Sequence, residues 1–540
     1  MDKIVYWGAG SIGKMCLKLY PDIQPEFFID SNWEKGLFCD IPVKKPEEIE
    51  QWDGLFIVIT LMTAVNDIEK ILNSKKLIKN QNYVRCQEFF GIKRGTAEES
   101  IYTVKNYIEK NKKYKNAVFV RAPIFSGRDV DNIVRFFHYY GVRHQQKCIL
   151  FSSSPIVNDI YFSDIVGYPV FNIPEICRWN GTLNNGINLD RSCLVHGDVL
   201  SEHEKNWIYD LEDRKLSEDK ELSYIVTAEV YWYYKNIFSI IQPSKVIIWG
   251  GWGRESYILA ELAKKNSTPY GFMEHGWIPG TYQFDRQGIA GQSEYADATG
   301  KILNFNDRSK ISEVKKIRKY IITNKIDTGR FQKNKEDEKN LQRIDKRRQT
   351  IFFVGMDDYG MGMNPKSYYW KEYVSSIFAS TQEAVLYIDV ICRKNDWNFI
   401  FKPHPSPAFK NELSKEQLTD SIIQIKHMEI DRLLHLSDVV ISISSAVEYK
   451  ALIYGKSLVQ LGHTTLSKKE CSYGVESIEK IECQLQEALK KGMTKKQNEN
   501  FEQYMVQLLE NYLWDDLSDR EMRYGLSLET DFFDKRGWQI

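Results

Sequence analysis

Four loops in this 540-residue chain carry side chains able to move a proton or hold an anion. The first lies in GFMEHGWIPGTYQFDRQG, residues 271–288, where Glu274 and His275 precede Gly276, Pro279 and Gly280, with Asp285 further on. Glycine and proline so closely spaced mark a loop held in one shape. An acid and an imidazole fixed on such a loop suit proton transfer to or from a hydroxyl. The second loop ends FIFKPHPSP, where an apolar strand delivers Lys402 and His404 between Pro403, Pro405 and Pro407. Proline fixes φ and removes donors, so the intervening side chains are held where they point. A cation and an imidazole placed this way suit a phosphate whose charge grows as it departs; a proline-rich connector with an incidental histidine would look the same.

The third loop is the junction in SDVVISISSAVEYKALIYGK, with Ser444 and Ser445 between a strand and a helix. Serine there caps free helix amides, and the same amides and helix dipole can hold a phosphate. Glu448, one turn into the helix, either binds a ribose or an amine or completes a capping arrangement. The fourth, VGMDDYGMGMN, sets Asp357 and Asp358 after a strand with Gly355 beside them. Adjacent carboxylates point different ways, so one of them bonding substrate hydroxyls is a better reading than a shared metal.

These loops require strands to launch them. Residues 1–95 read as a small α/β domain: KIVYWGAGSIGKMCLKLY is strand, glycine turn and helix, with Gly8, Gly10 and Gly13 as GxGxxG. Asp30 closes the next strand, where a ribose-binding acid would stand. These four residues are the candidates for a nucleotide or nucleotide-sugar site in this domain; an empty fold kept for packing is the alternative. Residues 100–305 form a second α/β run, with NAVFVRAPI, QKCILFSSS and KVIIWGG as buried parallel strands. Arg254 opens a helix there, a possible substrate contact, and the Glu274 loop follows a strand's carboxyl end, where open α/β sheets bind ligands. Residues 306–349 are charged, basic in balance and poor in strand formers. They read as a helical linker, either solvated or in contact with anionic lipid or polymer. Residues 350–490 restart the α/β alternation, and 491–540 form a largely helical tail.

Composition bounds the rest. Lysine plus arginine and aspartate plus glutamate each total 73, so nothing in the net charge recruits nucleic acid. The 9 cysteines are dispersed without a CxxC pair, as reduced cytosolic thiols are, and show no zinc-site spacing. The opening MDKIVYWGAG enters a strand at once, and no apolar run reaches the ~20 residues of a spanning helix. The expectation is a cytoplasmic protein with at most peripheral membrane contact.

EHGWIPGTYQFDRQGIAGQS, KPHP and SISSAVEYKALIYGKSLVQLG together resemble the bacterial capsule polysaccharide synthesis family, which includes Kdo transferases, over roughly residues 240–475. The resemblance implies an α/β, GT-B glycosyltransferase: two Rossmann-like halves facing a cleft, here preceded by the small Rossmann-like domain, which is similar to sugar-nucleotide-binding modules. It implies that His404, Pro405, Ser444 and Ser445 hold the donor's phosphate, with Lys402 neutralising it and Glu448 nearby. Glu274 and His275 would then approach sugar and acceptor, one of them or Asp285 serving as general base. The implied donor is a CMP-activated acidic sugar, Kdo- or sialic-acid-like, and the acceptor a surface glycan or glycolipid. The implied chemistry needs neither metal nor cofactor. The acid-acid-glycine motif of bacterial sialyltransferases is interrupted here by Tyr359 in DDYG, so its base is not carried over. A teichoic-acid-type polyol-phosphate transferase using a CDP-polyol, or a non-catalytic nucleotide-sugar-binding scaffold, remains open beside this reading.

Overall fold

A computed structural model describes residues 3–31, 33, 36–61, 65–90, 95–122, 145–152, 169–178, 196–215, 220–251, 253–297, 310–324, 335–358, 367–404 and 411–515. The described residues form an α/β structure. The chain divides into two compact units, one of residues Met1–Arg178 and Tyr233–Val246, the other of Trp179–Trp232 and Ile247–Ile540.

The first unit holds β1 (Lys3–Trp7), β2 (Phe28–Ile29), β3 (Leu37–Phe38), β4 (Ile41–Lys44), β5 (Leu55–Ile59) and β6 (Tyr83–Arg85) in the order β3-β4-β2-β1-β5-β6. All neighbours are parallel except β3 with β4. Val5, Trp7, Ile29, Ile57 and Ile59 form the sheet's own core with Leu72 and Tyr83. The unit continues with parallel β7 (Val118–Ala122), β8 (Cys148–Ser152) and β9 (Val170–Asn172).

β10 (Lys245–Trp249), which enters the second unit at Ile247, ends where Gly250 N–H donates to the Met273 carbonyl of β11 (Tyr270–His275). β11 turns antiparallel into β12 (Thr281–Asp285). A wholly parallel sheet follows: β13 (Thr350–Val354), β14 (Asn398–Lys402), β15 (Ile422–Gln424), β16 (Val439–Ser442), β17 (Ser457–Gln460) and β18 (Tyr473–Gly474), ordered β15-β14-β13-β16-β17-β18. Its central strands are buried at every position, as helices on both faces require. β19 (Leu513–Asp515) then returns to the edge of β12.

Two segments depart from their expected roles. Within 306–349, the helix Ile311–Asn324 is no free connector: Val314, Ile317 and Ile321 enter the core of the wholly parallel sheet. The tail likewise belongs to that core, through Phe501, Tyr504, Met505 and Leu508 of the helix Lys495–Asn511. Its start is readable: Thr494 accepts from Gln497 N–H while Gln497 reaches back to Thr494 N–H.

Candidate active site

The wholly parallel sheet brings Asp357, Asp358, Lys402, His404, Ser444, Ser445 and Glu448 to one edge. Its chain path starts at β13, moves outward through β14 and β15, then crosses back to β16, so β13 and β16 flank a topological switch point. Ligands in such sheets bind outside the carboxyl ends at the switch. Lys402, Val354, Ser442 and Gln460 lie in register as one row across that edge. The loops after β13, β14 and β16, with Asp357, His404 and Ser444, therefore leave side by side. The strands bearing His404 and Ser444 are two spacings apart, about 10 Å.

His404 Nδ1 stands 3.7 Å from Asp357 Oδ2, both side chains being partly exposed. The His404 amide donates to Asn411 Oδ1 at 3.1 Å, and Asn411 Nδ2 donates to the Met356 carbonyl, so one asparagine stitches the two loops together. Gly355 is required by the closeness: an added Cβ would lie 3.0 Å from the Lys402 carbonyl oxygen and 3.2 Å from His404 N. Asp358 turns the other way. It is buried and accepts from Thr381 N–H at 2.8 Å and from the Thr381 hydroxyl. Burial pushes its carboxyl up to about 6, against those hydrogen bonds. The two aspartates thus diverge, Asp357 to the histidine and Asp358 to a helix start.

Lys402 is a correction. Its ammonium is buried and donates to the Lys426 carbonyl at 2.7 Å, on the β15 side of β14 rather than toward the switch. Ser445 and Glu448 also resolve in favour of capping. Ser445 Oγ accepts from Val447 N–H at 3.3 Å and Ser445 N–H donates to Glu448 Oε1 at 3.2 Å. Glu448 N–H bonds the Ser445 carbonyl, so the amides of 445, 447 and 448 are already engaged. Gln460 Nε2 donates to Glu448 Oε2 at 3.1 Å from beneath. Burial raises the Glu448 carboxyl to about 7. Ser444 is half-buried at the strand end. Pro405 lies outside the described residues.

The Glu274 loop is a hairpin of fixed shape. Gly276 N–H bonds the Thr281 carbonyl at 2.7 Å and Thr281 Oγ1 donates to the Ile278 carbonyl at 2.7 Å. A Cβ on Gly276 would meet Thr281 Oγ1 at 2.1 Å. The tip is a peg: Ile278 is fully buried in the wholly parallel sheet's core, and Trp277 stacks on Tyr449 with centroids 5.7 Å apart. Glu274 stays at the hairpin's base, half-buried, accepting from His275 N–H at 2.9 Å. Gly250, at φ +71°, faces it, an added Cβ there lying 3.8 Å from Glu274 Oε2. The His275 ring is exposed, stacked on Tyr282 and edge-on to Trp249.

Asp285 and Arg254 sit differently from the expectation. Asp285 has no exposed surface and accepts from Gln287 N–H, Gly288 N–H, Ser293 Oγ, Glu294 N–H and Tyr512 OH. That is a carboxylate organising a loop, because every approach to it is occupied. Arg254 is buried against Glu212, at 3.3 Å, and Thr227, an internal ion pair. Asn411, Gln460 and the Ile278 peg had no signal in the sequence beyond ordinary polar or apolar character.

In the first unit the GxGxxG turn closes on itself. Gly8 adopts φ +128°, and a Cβ there would lie 2.7 Å from Leu61 Cγ and 2.8 Å from the Thr60 carbonyl oxygen. Gly13 packs equally close, 2.5 Å from the Gly8 carbonyl oxygen, whereas Gly10 opens on space. Asp30 Oδ2 accepts from Ala9 N–H at 3.0 Å, and Thr60 Oγ1 donates to the Trp7 and Gly8 carbonyls. Asp30 thus braces the turn it was expected to serve.

Among the described residues, no group of three or more His, Cys, Asp or Glu is placed to hold a metal ion, and no helix is long and apolar enough to cross a membrane.

Neither a protein-family model nor a curated protein matches the chain. Among solved structures it is similar to the KpsC beta Kdo 2,7 transferase of Thermosulfurimonas dismutans, at 16% identity and TM-score 0.32, over 46% of this chain and 74% of that one. The KpsC beta Kdo 2,4 transferase of the same organism gives 16% and 0.34, over 48% and 79%. The UDP-GlcNAc 2-epimerase from Neisseria meningitidis bound to UDP-GlcNAc gives 11% and 0.28, over 77% and 97%. At these values none of the three assigns a residue its role, and the functional reading rests on the site itself.

Proposed function

We propose that the chain is a glycosyltransferase of GT-B type that takes a nucleotide-activated sugar, a CMP-linked acidic sugar foremost, and passes it to a surface glycan or glycolipid. The observation that carries this reading is the alignment of Asp357, His404 and Ser444 on adjacent loops at the switch point of the wholly parallel sheet. An imidazole backed by a carboxylate on Nδ1 presents Nε2 outward, and a proton held there neutralises charge building on a leaving phosphate. The Ser444 hydroxyl supplies a second donor. Lys402 and Glu448 shape the two loops from within instead of touching the ligand.

Glu274, half-buried beside Gly250, is the base we assign to the acceptor hydroxyl, because Asp285 is committed to its loop and His275 is stacked on Tyr282. The reaction forms the acceptor O–C bond, breaks the donor C–O(phosphate) bond, moves the acceptor proton to Glu274 and leaves the nucleotide as the phosphate anion near His404. A cytoplasmic location and action without metal belong to the same proposal.

The test is nucleotide release by the full chain from CMP-, CDP- and UDP-linked donors, with acceptor glycans supplied. CMP release is expected from an acidic-sugar donor, falling by at least about a hundredfold in His404→Ala. The variant's thermal unfolding should stay at the wild-type midpoint, since His404 contributes little core area. Full activity in that variant would remove His404 from the mechanism, and CMP release from a CDP-polyol donor, with the polyol phosphate appearing on the acceptor, would replace sugar transfer by polyol-phosphate transfer.

A further inference from the structure

The basic segment singled out by composition contains a surface that the active site does not use. The helix Ile311–Asn324 buries Val314, Ile317 and Ile321 and turns Lys315, Lys316 and Lys319 outward. Lys315, Lys319 and Ile322 form one row at helical spacing, and Lys316 and Tyr320 the next. Tyr320 is 41% exposed and Ile322 38%. A groove of about 350 Å³ runs along this face, lined by Lys315, Arg318, Lys319, Ile322, Ile453 and Glu502.

Arg318 builds the groove's floor. Its guanidinium donates to the Leu452 and Ile453 carbonyls at 3.0 and 3.1 Å, to Asn498 Oδ1 at 2.8 Å and to Glu502 Oε1 at 3.0 Å. With Glu502 occupied by Arg318, Lys315 reaches it only at 3.9 Å. Lys316 and Lys319 make no ion pair with any described residue. The ammonium groups of Lys315 and Lys319 therefore line the groove, with exposed Lys316 on the next helical row, while Lys495 on the neighbouring helix is paired with Glu499 at 3.8 Å.

We propose that this face rests on an anionic membrane surface, the groove seating a phosphate-bearing lipid headgroup between Lys315 and Lys319. Lysine charge alone would also suit a soluble polyanion. The exposed Tyr320 and Ile322 among the lysines favour a bilayer, whose interface takes up aromatic and aliphatic side chains that a hydrated polymer leaves wet. The helix does not insert, because its apolar stripe is spent on the protein core; the contact is electrostatic with a shallow apolar component. Membrane contact and sugar transfer are separate properties, the first read by vesicle binding and the second by nucleotide release.

The experiment is co-sedimentation of the full chain with vesicles of phosphatidylcholine, with and without phosphatidylglycerol. Wild-type protein is expected to pellet with the phosphatidylglycerol vesicles, less so as salt rises. The triple variant Lys315→Glu, Lys316→Glu, Lys319→Glu should bind them on the order of a hundredfold more weakly, each lysine near an anionic surface contributing roughly a factor of five. Should that variant unfold, the neutral Lys316→Gln and Lys319→Gln variants, at exposed positions, carry the same test with a smaller loss. Equal binding by wild type and variants, no preference for phosphatidylglycerol, or an equal loss from reversing the exposed Lys112 and Lys113 would overturn the proposal. Retention on a soluble anionic polysaccharide without vesicle binding would replace the bilayer by a polymer.

Discussion

At the scale of single residues, Glu448 shows how capping and burial set a charge. Both of its oxygens face donors, the Ser445 amide and the Gln460 amide nitrogen, which favour the carboxylate. Complete burial opposes them and prevails, raising the carboxyl from 4.5 to about 7. An acid raised in the folded state binds its proton more tightly there than in the unfolded chain. Its stabilising contribution is full below about pH 4.5 and is lost as pH climbs through about 7. The amide introduced by Glu448→Gln mimics the protonated form and cannot titrate. Urea unfolding at pH 5 and pH 8 should therefore show the wild-type advantage over Glu448→Gln shrinking by on the order of 2–3 kcal/mol between the two. A constant difference, or one growing with pH, would show that Glu448 is ionised throughout. The sequence carried the Ser-x-x-Glu spacing that makes this cap legible. It carried no sign of Gln460, which arrives from the next strand.

At the scale of elements, the strands launching each loop were readable from apolar runs ending in small or polar residues, and the observed β11, β13, β14 and β16 all fall within them. What each loop abuts was not readable, because the hydrophobicity of Trp277 and Ile278 names no partner. The Glu274 hairpin looked like a catalytic loop and proves to be, at its tip, a peg in the core around Tyr449 and Leu433. The acid itself sits at the base, where the antiparallel pairing with β12 fixes it opposite Gln283. Truncating the peg should therefore affect two properties together. Ile278→Ala removes a fully buried side chain and should cost about 2–4 kcal/mol in urea unfolding. It should also lower nucleotide release at neutral pH through a looser Glu274, with donor KM little changed. A stability loss with unaltered release would separate the peg from the base.

At the scale of the whole molecule, the second unit is closed by its own end. Tyr512, reached after the helix Lys495–Asn511, donates to Asp285 at 2.9 Å across 227 positions, and β19 pairs with β12. Amphipathic spacing in KKQNENFEQYMVQLLENYLW marked a helix, but contacts so distant in sequence leave no local trace, so the segment read as a tail and 306–349 as a linker. The structure makes both part of one core, in which Arg318 of the earlier helix binds Asn498 and Glu502 of the later one. Phe501, Tyr504, Met505 and Leu508 are each fully buried there. At roughly 3 kcal/mol apiece their loss comes to about 12 kcal/mol, comparable with the whole 5–15 kcal/mol of a domain. A chain ending at residue 494 should thus lack a cooperative thermal transition in the second unit and be cleaved by protease within residues 350–490. The first sheet, whose core is drawn from residues 5–83, should keep its protection. A residue 1–494 chain that melts cooperatively, with its wholly parallel sheet protease-resistant, would show that the last helix covers the core without being needed to form it.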